Sequence, residues 1–381
     1  MAAIAVASLG LAACGSDSEG DGGGSGETVK IGFMGDLTGP NKQLGINILD
    51  GAKLALADYE KTNPDVKITI VEYDSQGDPK QASGLAPKVI DDGVVGLVGP
   101  AFSGETADTG AAWEEAGLPF VSASATRVTL SDNGWKTFHR VLADDGFQGP
   151  GVATFMANNG FETVAIIDDA SEYGQGLANE VDAKAKELGL TVAVREAVAA
   201  EGTTVPNYSS TISKIKGANV DAIFYGGYYA QSGGFVKQLR DGGEDAVFVS
   251  GDGSLDGAFI EGGGEAANGA ALSCACALIN DTATGAAKTF YDAYKAAYNT
   301  EPGTYSPEGY DAMTAFINAV KDGKTDRAGI LEYLTTVDFE GVSKQIKFEA
   351  NGNIVGGTIL MYQVKDGAIV GIGTTEDAKL S

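Results

Sequence analysis

Short β-branched runs alternate with helix-period stretches along most of this chain, and the alternation occurs twice. Val29-Lys30-Ile31-Gly32-Phe33-Met34 reads as a strand. Over residues 45–59, Ile46, Leu49, Ala52, Leu56 and Tyr59 fall on one helical face. Strands at 67–73, 94–98 and 118–122 follow, separated by helices at 80–91 and 105–116. Pro87 predicts a kink or a late start in the first of these two helices. The continuous apolar character of residues 94–98 predicts a strand buried on both faces. The rhythm then restarts with strands at 163–167, 191–195, 221–225 and 246–250, and helices at 174–188, 208–216 and 234–240. Three helices (286–298, 309–320 and 327–335) precede a closing antiparallel set at 344–348, 359–365 and 368–372. Asn351-Gly352 and Lys365-Asp366-Gly367 supply its turns. Two successive series of this kind predict an α/β chain with two parallel-sheet lobes. Ligands on such sheets bind beyond the carboxyl ends of the strands. Two lobes facing each other would line one cleft, and hinge closure is the natural motion of that clamp.

The first 27 residues follow a different logic. Leu11-Ala12-Ala13-Cys14 ends a short apolar run (Ile4, Val6, Leu9, Leu11) that is too brief to span a bilayer. Small residues directly before a cysteine are the pattern of a bacterial lipoprotein signal, with Cys14 as the lipidated residue. Residues 15–27 are rich in Gly, Ser and Asp and predict a flexible tether. The basic residues that ordinarily open a signal peptide are missing between Met1 and the apolar run, so the natural start is expected upstream.

Charge and cysteine usage narrow the function. The formal net charge is −26, which excludes non-specific binding to a phosphate backbone, because that needs clustered Lys and Arg. Of three cysteines, Cys14 is assigned to lipid, while Cys274 and Cys276 stand two apart in Leu272-Ser273-Cys274-Ala275-Cys276-Ala277-Leu278. A disulfide between them is compatible with a compartment outside the cytosol. Their expected role is structural or redox-inert. With one histidine, His139, and no second Cys or His cluster, no metal site and no cofactor are expected.

Candidate chemistry sits where strands hand over to helices. Gly99-Pro100-Ala101-Phe102-Ser103-Gly104-Glu105-Thr106 and Ala123-Ser124-Ala125-Thr126-Arg127 both offer short hydroxyls. If helices start there, they also offer unpaired backbone N–H groups, a ready site for an anion. Ser103 and Thr126 could then hold a carboxylate, although capping alone also accounts for Ser and Thr at a helix start. In the second series Asp168 to Gly176, Tyr225 to Tyr229 and Gly251-Asp252-Gly253 each follow a strand. Tyr173 and Tyr228 offer flat apolar walls with polar tips, and Asp252 could pair with an ammonium. Core packing and a solvated turn are the plainer alternatives.

These stretches resemble the solute-binding proteins of branched-chain amino acid ABC transporters, the leucine/isoleucine/valine-binding family. The resemblance is carried by Val29-Lys30-Ile31-Gly32 through Leu37-Thr38-Gly39-Pro40, Asp78-Pro79-Lys80-Gln81-Ala82, Gly99 to Thr106, Tyr173-Gly174-Gln175-Gly176 and Tyr225-Gly226-Gly227-Tyr228. It implies two Rossmann-like lobes joined by a three-stranded hinge, the periplasmic binding protein type I fold. Lobe 1 would hold residues 28–144 and 276–355, and lobe 2 residues 145–275 and 356–381. It further implies that Ser103 and Thr126 hold a ligand carboxylate, that the Ser124 carbonyl and Asp252 hold its ammonium, that Tyr228 bonds the ligand and that Tyr173 closes over it. Phe102 and Tyr305 match wall positions. Leu44 replaces an aromatic wall residue, and Asp252 replaces a longer Glu, which puts the side-chain preference in question.

The implied protein is a lipid-anchored, extracytoplasmic, monomeric receptor that delivers a small aliphatic amino acid to a membrane permease and catalyses nothing. The same fold could instead take an amide, a urea-like solute or an aromatic acid, or act as a sensor. An enzyme is disfavoured: Gly32-Phe33-Met34-Gly35 does not complete a dinucleotide motif, no Walker A sequence occurs, and His139 lies in a predicted strand near the hinge.

Overall fold

The computed structural model describes residues 28–199 and 205–381. Cys14, the signal segment and the tether lie outside the described residues. The first series is β1 (Thr28–Gly35), α1 (Lys42–Glu60), β2 (Lys67–Asp74), α2 (Pro79–Asp91), β3 (Gly96–Val98), α3 (Ser103–Glu115), β4 (Phe120–Ser122) and β5 (Phe138–Arg140). Its strands form one parallel sheet in the order β2-β1-β3-β4-β5. The second series is α4 (Asp145–Asn158), β6 (Thr163–Asp168), α5 (Glu172–Glu187), β7 (Thr191–Ala197), α6 (Ser209–Ala218), β8 (Ala222–Gly226), α7 (Tyr229–Asp241), β9 (Val247–Ser250), α8 (Gly257–Gly263) and β10 (Ala271–Cys274). After it come α9 (Gly285–Tyr298), α10 (Ser306–Lys321), α11 (Arg327–Leu334), β11 (Asp338–Glu340), β12 (Gln345–Lys347), β13 (Leu360–Lys365) and β14 (Ala368–Thr374). The second sheet runs β14-β13-β10-β9-β8-β6-β7, with β13 and β14 joined antiparallel.

The late helices cover the first sheet. A Cβ at Gly51 would fall 2.0 Å from the Ser306 carbonyl, and one at Gly309 2.2 Å from the Ile48 carbonyl. Helices α1 and α10 therefore touch backbone to backbone, which only glycine permits at those positions. Phe316 of α10 lies on β3, where a Cβ at Gly96 would meet its ring at 2.5 Å. The chain thus passes between the lobes three times: after β5, after β10 and between β12 and β13.

Several expectations need correction. Helix α2 begins at Pro79 and continues through Pro87, so the late start is ruled out. Its N-cap is Asp78, which accepts the Lys80 N–H at 2.8 Å and fixes the start at Pro79, about two turns before Pro87. Strand β3 starts only at Gly96, although the Val95 N–H still bonds the Lys30 carbonyl at 2.9 Å. No α-helix follows Thr126. A short 3₁₀ turn over Val128–Asn133 stands there, so the second loop has no helix start to offer an anion. His139 is buried on β5 against the Phe348 ring, and burial pulls its pKa down to about 4. Cys274 and Cys276 are joined as a disulfide just where β10 ends.

Candidate functional site

The carboxyl ends of β3 and β4 are stitched into one platform. The Ser122 hydroxyl donates to the Pro100 carbonyl at 2.7 Å and accepts the Ala125 N–H at 3.0 Å. The Ser124 hydroxyl donates to the Ala101 carbonyl, and Ser103 Oγ accepts the Arg127 N–H at 3.2 Å. The Ser124 side chain is therefore used within the platform, leaving its carbonyl for the expected contact, while Ser103 accepts one bond there and keeps its own O–H as a donor. Helix α3 does start at Ser103, so its first-turn amides have no partner within the helix. Thr126 is different: its Oγ1 is buried and has no hydrogen-bond partner.

Beneath this platform lies Glu105, wholly buried, accepting the Phe102 N–H at 2.9 Å and the Ser75 hydroxyl. Burial raises its pKa from 4.5 to about 7. The folded chain therefore holds a proton on Glu105 more tightly than the unfolded chain. This contribution to stability is complete below the unfolded pKa and is lost as pH rises toward 7. In urea titrations, wild type should lose stability relative to Glu105→Gln between pH 5 and pH 7.5. A pH-independent difference between the two proteins would refute that assignment.

The facing lobe supplies an acid held by phenols. Ser171 caps α5 by accepting the Gly174 N–H at 2.9 Å, which places Tyr173 in the first turn. Tyr173 Oη donates to Asp252 Oδ1 at 2.5 Å and accepts the Gly253 N–H at 3.0 Å. A Cβ at Gly251 would lie 2.5 Å from that phenol oxygen, so glycine is needed before Asp252. Gln148 Nε2 donates to Asp252 Oδ1 at 3.2 Å. Just before α10, which packs on the other lobe, Tyr305 Oη donates to Asp252 Oδ2 at 2.8 Å. Tyr305 was expected only as a wall.

Aromatic rings close the space between the lobes. The Tyr228 ring lies 4.8 Å from Phe102 and 5.0 Å from Tyr173, centroid to centroid. Arg127 pairs with Glu172 from lobe to lobe, and the Gln43 N–H donates to Tyr229 Oη at 3.0 Å. Leu44 is buried in the apolar cluster that also holds Phe102 and Tyr305. Phe102, Ser103, Ser124, Thr126, Tyr173, Tyr228, Asp252 and Tyr305 thus converge on one interlobe region, while Leu44 is tied to it only through the shared apolar cluster.

One residue of that region was missed. Asp145, the first residue of α4, has no exposed surface, and neither carboxylate oxygen has a hydrogen-bond partner. Its own N–H donates to the Thr126 carbonyl at 2.8 Å. The Thr126 hydroxyl stands near enough to lower the Asp145 pKa, yet outside hydrogen-bond geometry. Burial, reinforced by the charge of Asp252, nevertheless raises the Asp145 pKa well above the carboxylate range. Asp252 is also raised by burial, against the lowering effect of its three side-chain donors. A buried polar atom without a partner costs about 1–3 kcal/mol. Two adjacent buried acids, an unpaired hydroxyl and the unpaired Gln148 Oε1 suit a ligand that brings positive charge and N–H donors. The sequence held one clue: Asp144-Asp145 opens a helix, and only Asp144 caps it, accepting the Gly146 N–H at 3.0 Å.

Comparison with known proteins identifies the family and the fold. The family described as periplasmic binding protein matches residues 28–368. A Pseudomonas aeruginosa leucine-, isoleucine-, valine-, threonine- and alanine-binding protein is 29% identical over 341 residues, 88% of this chain and 90% of the relative. Among solved structures, the branched-chain amino acid transporter substrate-binding protein LivJ of Streptococcus pneumoniae, in complex with isoleucine, superposes with a TM-score of 0.83 at 30% identity. That match covers 93% of this chain and 99% of the other. The leucine-binding protein LivK of Thermotoga maritima gives a TM-score of 0.82 at 27% identity, covering 91% of this chain and 98% of its own.

Proposed function

This chain belongs to the periplasmic binding protein family, and on that premise we propose that it is the receptor for a small aliphatic amino acid, which it passes to an ABC permease. The observation that carries the reading is the buried pair Asp145 and Asp252 beside the unpaired Thr126 hydroxyl, between two lobes. The ligand ammonium would sit between the two acids and the Ser124 carbonyl. Its carboxylate would meet Thr126, Ser103 and the first-turn amides of α3. Phe102, Tyr173, Tyr228, Tyr305 and Leu44 would shape the side-chain pocket. We further propose the division into 28–144 with 276–355 and 145–275 with 356–381, lipid attachment at Cys14, an extracytoplasmic location and a monomeric, non-catalytic protein. Support for the anchor comes from the small residues before Cys14 and the polar tract after it.

The test separates the two ends of a zwitterion. L-leucine, L-isoleucine, L-valine, L-threonine and L-alanine are titrated calorimetrically beside isocaproate, which lacks the ammonium, and isopentylamine, which lacks the carboxylate. At least one amino acid should bind, and the truncated analogues should bind at least about a hundredfold more weakly, because isocaproate leaves the two buried acids without a cation and isopentylamine leaves the hydroxyl and amide donors without an acceptor. Isocaproate binding as well as leucine would favour the carboxylic-acid or amide reading and overturn this one.

A further inference from the structure

We infer that Arg140 is a positioning residue that couples the Thr126 loop to two of the three passages between the lobes. The inference rests on the reading that Thr126 meets the ligand. Arg140 ends β5 and has no exposed surface. Its Nη1 donates to the carbonyls of Ala125 at 3.2 Å and Arg127 at 2.8 Å, the two residues that flank Thr126. Its Nη2 donates to Asp144 Oδ2 at 2.9 Å, in the first passage, and its Nε to Asn353 Oδ1 at 2.8 Å, in the third. Asn353 Nδ2 closes the triangle on Asp144 Oδ2 at 3.2 Å. The ring then returns to its origin, because Asp145, next to Asp144, donates its N–H to the Thr126 carbonyl.

A buried ion pair by itself says little about stability. What distinguishes this one is where the donors go. A planar guanidinium can address four acceptors in fixed directions, and a lysine ammonium cannot. Because both carbonyls beside Thr126 are fixed to the same group as the two passages, rotation of the lobes about those passages must shift Thr126. A ligand that engages Thr126 therefore favours one hinge state, which is how binding energy becomes a population shift.

The experiment uses Asn353→Ala and Arg140→Lys, with amide hydrogen exchange in ligand-free protein and stopped-flow kinetics with L-leucine. In Asn353→Ala, which keeps every charge and every proposed ligand contact, exchange should rise together at residues 125–127 and 144–146. The L-leucine dissociation rate should rise about tenfold while the association rate changes less than about twofold. Asn353→Ala added to Arg140→Lys should cost nothing further, since both break one network. Faster exchange confined to the neighbourhood of residue 353, or an unchanged dissociation rate, overturns the coupling. If unaltered protein binds none of the amino acids, the proposed function fails, and the exchange pattern alone still decides the coupling. If Arg140→Lys does not fold, Asn353→Ala decides it.

Discussion

Asp252→Asn should weaken L-leucine or L-isoleucine binding by about a hundredfold, the cost of stripping a buried ammonium of a charged partner. The substitution keeps the side chain's shape and removes its charge. Asp252 accepts from Tyr173, Tyr305 and Gln148, all neutral donors, so no protein cation offsets its charge within that set. An asparagine amide would also turn an N–H toward a phenol or toward the Gln148 amide, replacing an attraction with a clash of donors. The effect should be specific to ligands with an ammonium. Isocaproate, which lacks one, should bind Asp252→Asn no worse than wild type. Calorimetry on both ligands separates loss of a charged partner from loss of structure, which would weaken both. Equal L-leucine affinity in the two proteins would remove Asp252 from the site.

Much of this architecture was legible in the chain because its elements are local. Strand and helix periods in both series, and the turn at Lys365-Asp366-Gly367, depend on neighbours a few residues apart. There Asp366 and Gly367 take the positive φ angles, 51° and 76°, that the turn type requires. Helix α4 escaped because Gly146, Gly149, Pro150 and Gly151 break its apolar period, although Val152, Ala153, Phe155 and Met156 are buried as a helix core face. Residues 94–98 read as one strand because burial, rather than sheet pairing, explains Val94.

The site was legible at single residues and illegible at their connections. Tyr305 lies 53 residues from Asp252, Tyr173 79 and Gln148 104. No spacing rule links positions so far apart, so the triple donor set around Asp252 appears only once the lobes meet. Asp145 was hidden for a related reason. An acid at a helix start ordinarily caps the helix or faces water, whereas this one is buried beside the Thr126 loop and Asp252, neither of them a sequence neighbour.

The second large effect follows from that hidden acid. Binding should strengthen as pH rises, and Asp145→Asn should remove most of this dependence. Both acids are raised in the protein alone, Asp145 by burial and then by the Asp252 charge, Asp252 by burial. An ammonium placed beside them favours their ionised forms, so their pKa values fall in the complex. Protons and ligand then compete: the free protein binds protons more tightly than the complex, binding releases them, and affinity drops as pH falls through the free-protein pKa of Asp145. Calorimetry of L-leucine in buffers of different ionisation enthalpy measures that release directly. At pH 8, Asp145→Asn should bind L-leucine about tenfold to a hundredfold more weakly and release fewer protons. The same variant should be more stable than wild type without ligand, because a buried carboxyl that has no hydrogen-bond partner and is opposed by the Asp252 charge becomes a neutral amide. Lower affinity with higher stability marks an acid kept for its ligand rather than for the fold. Proton release of zero in wild type, with affinity flat from pH 5 to pH 8, would mean that no ammonium reaches Asp145.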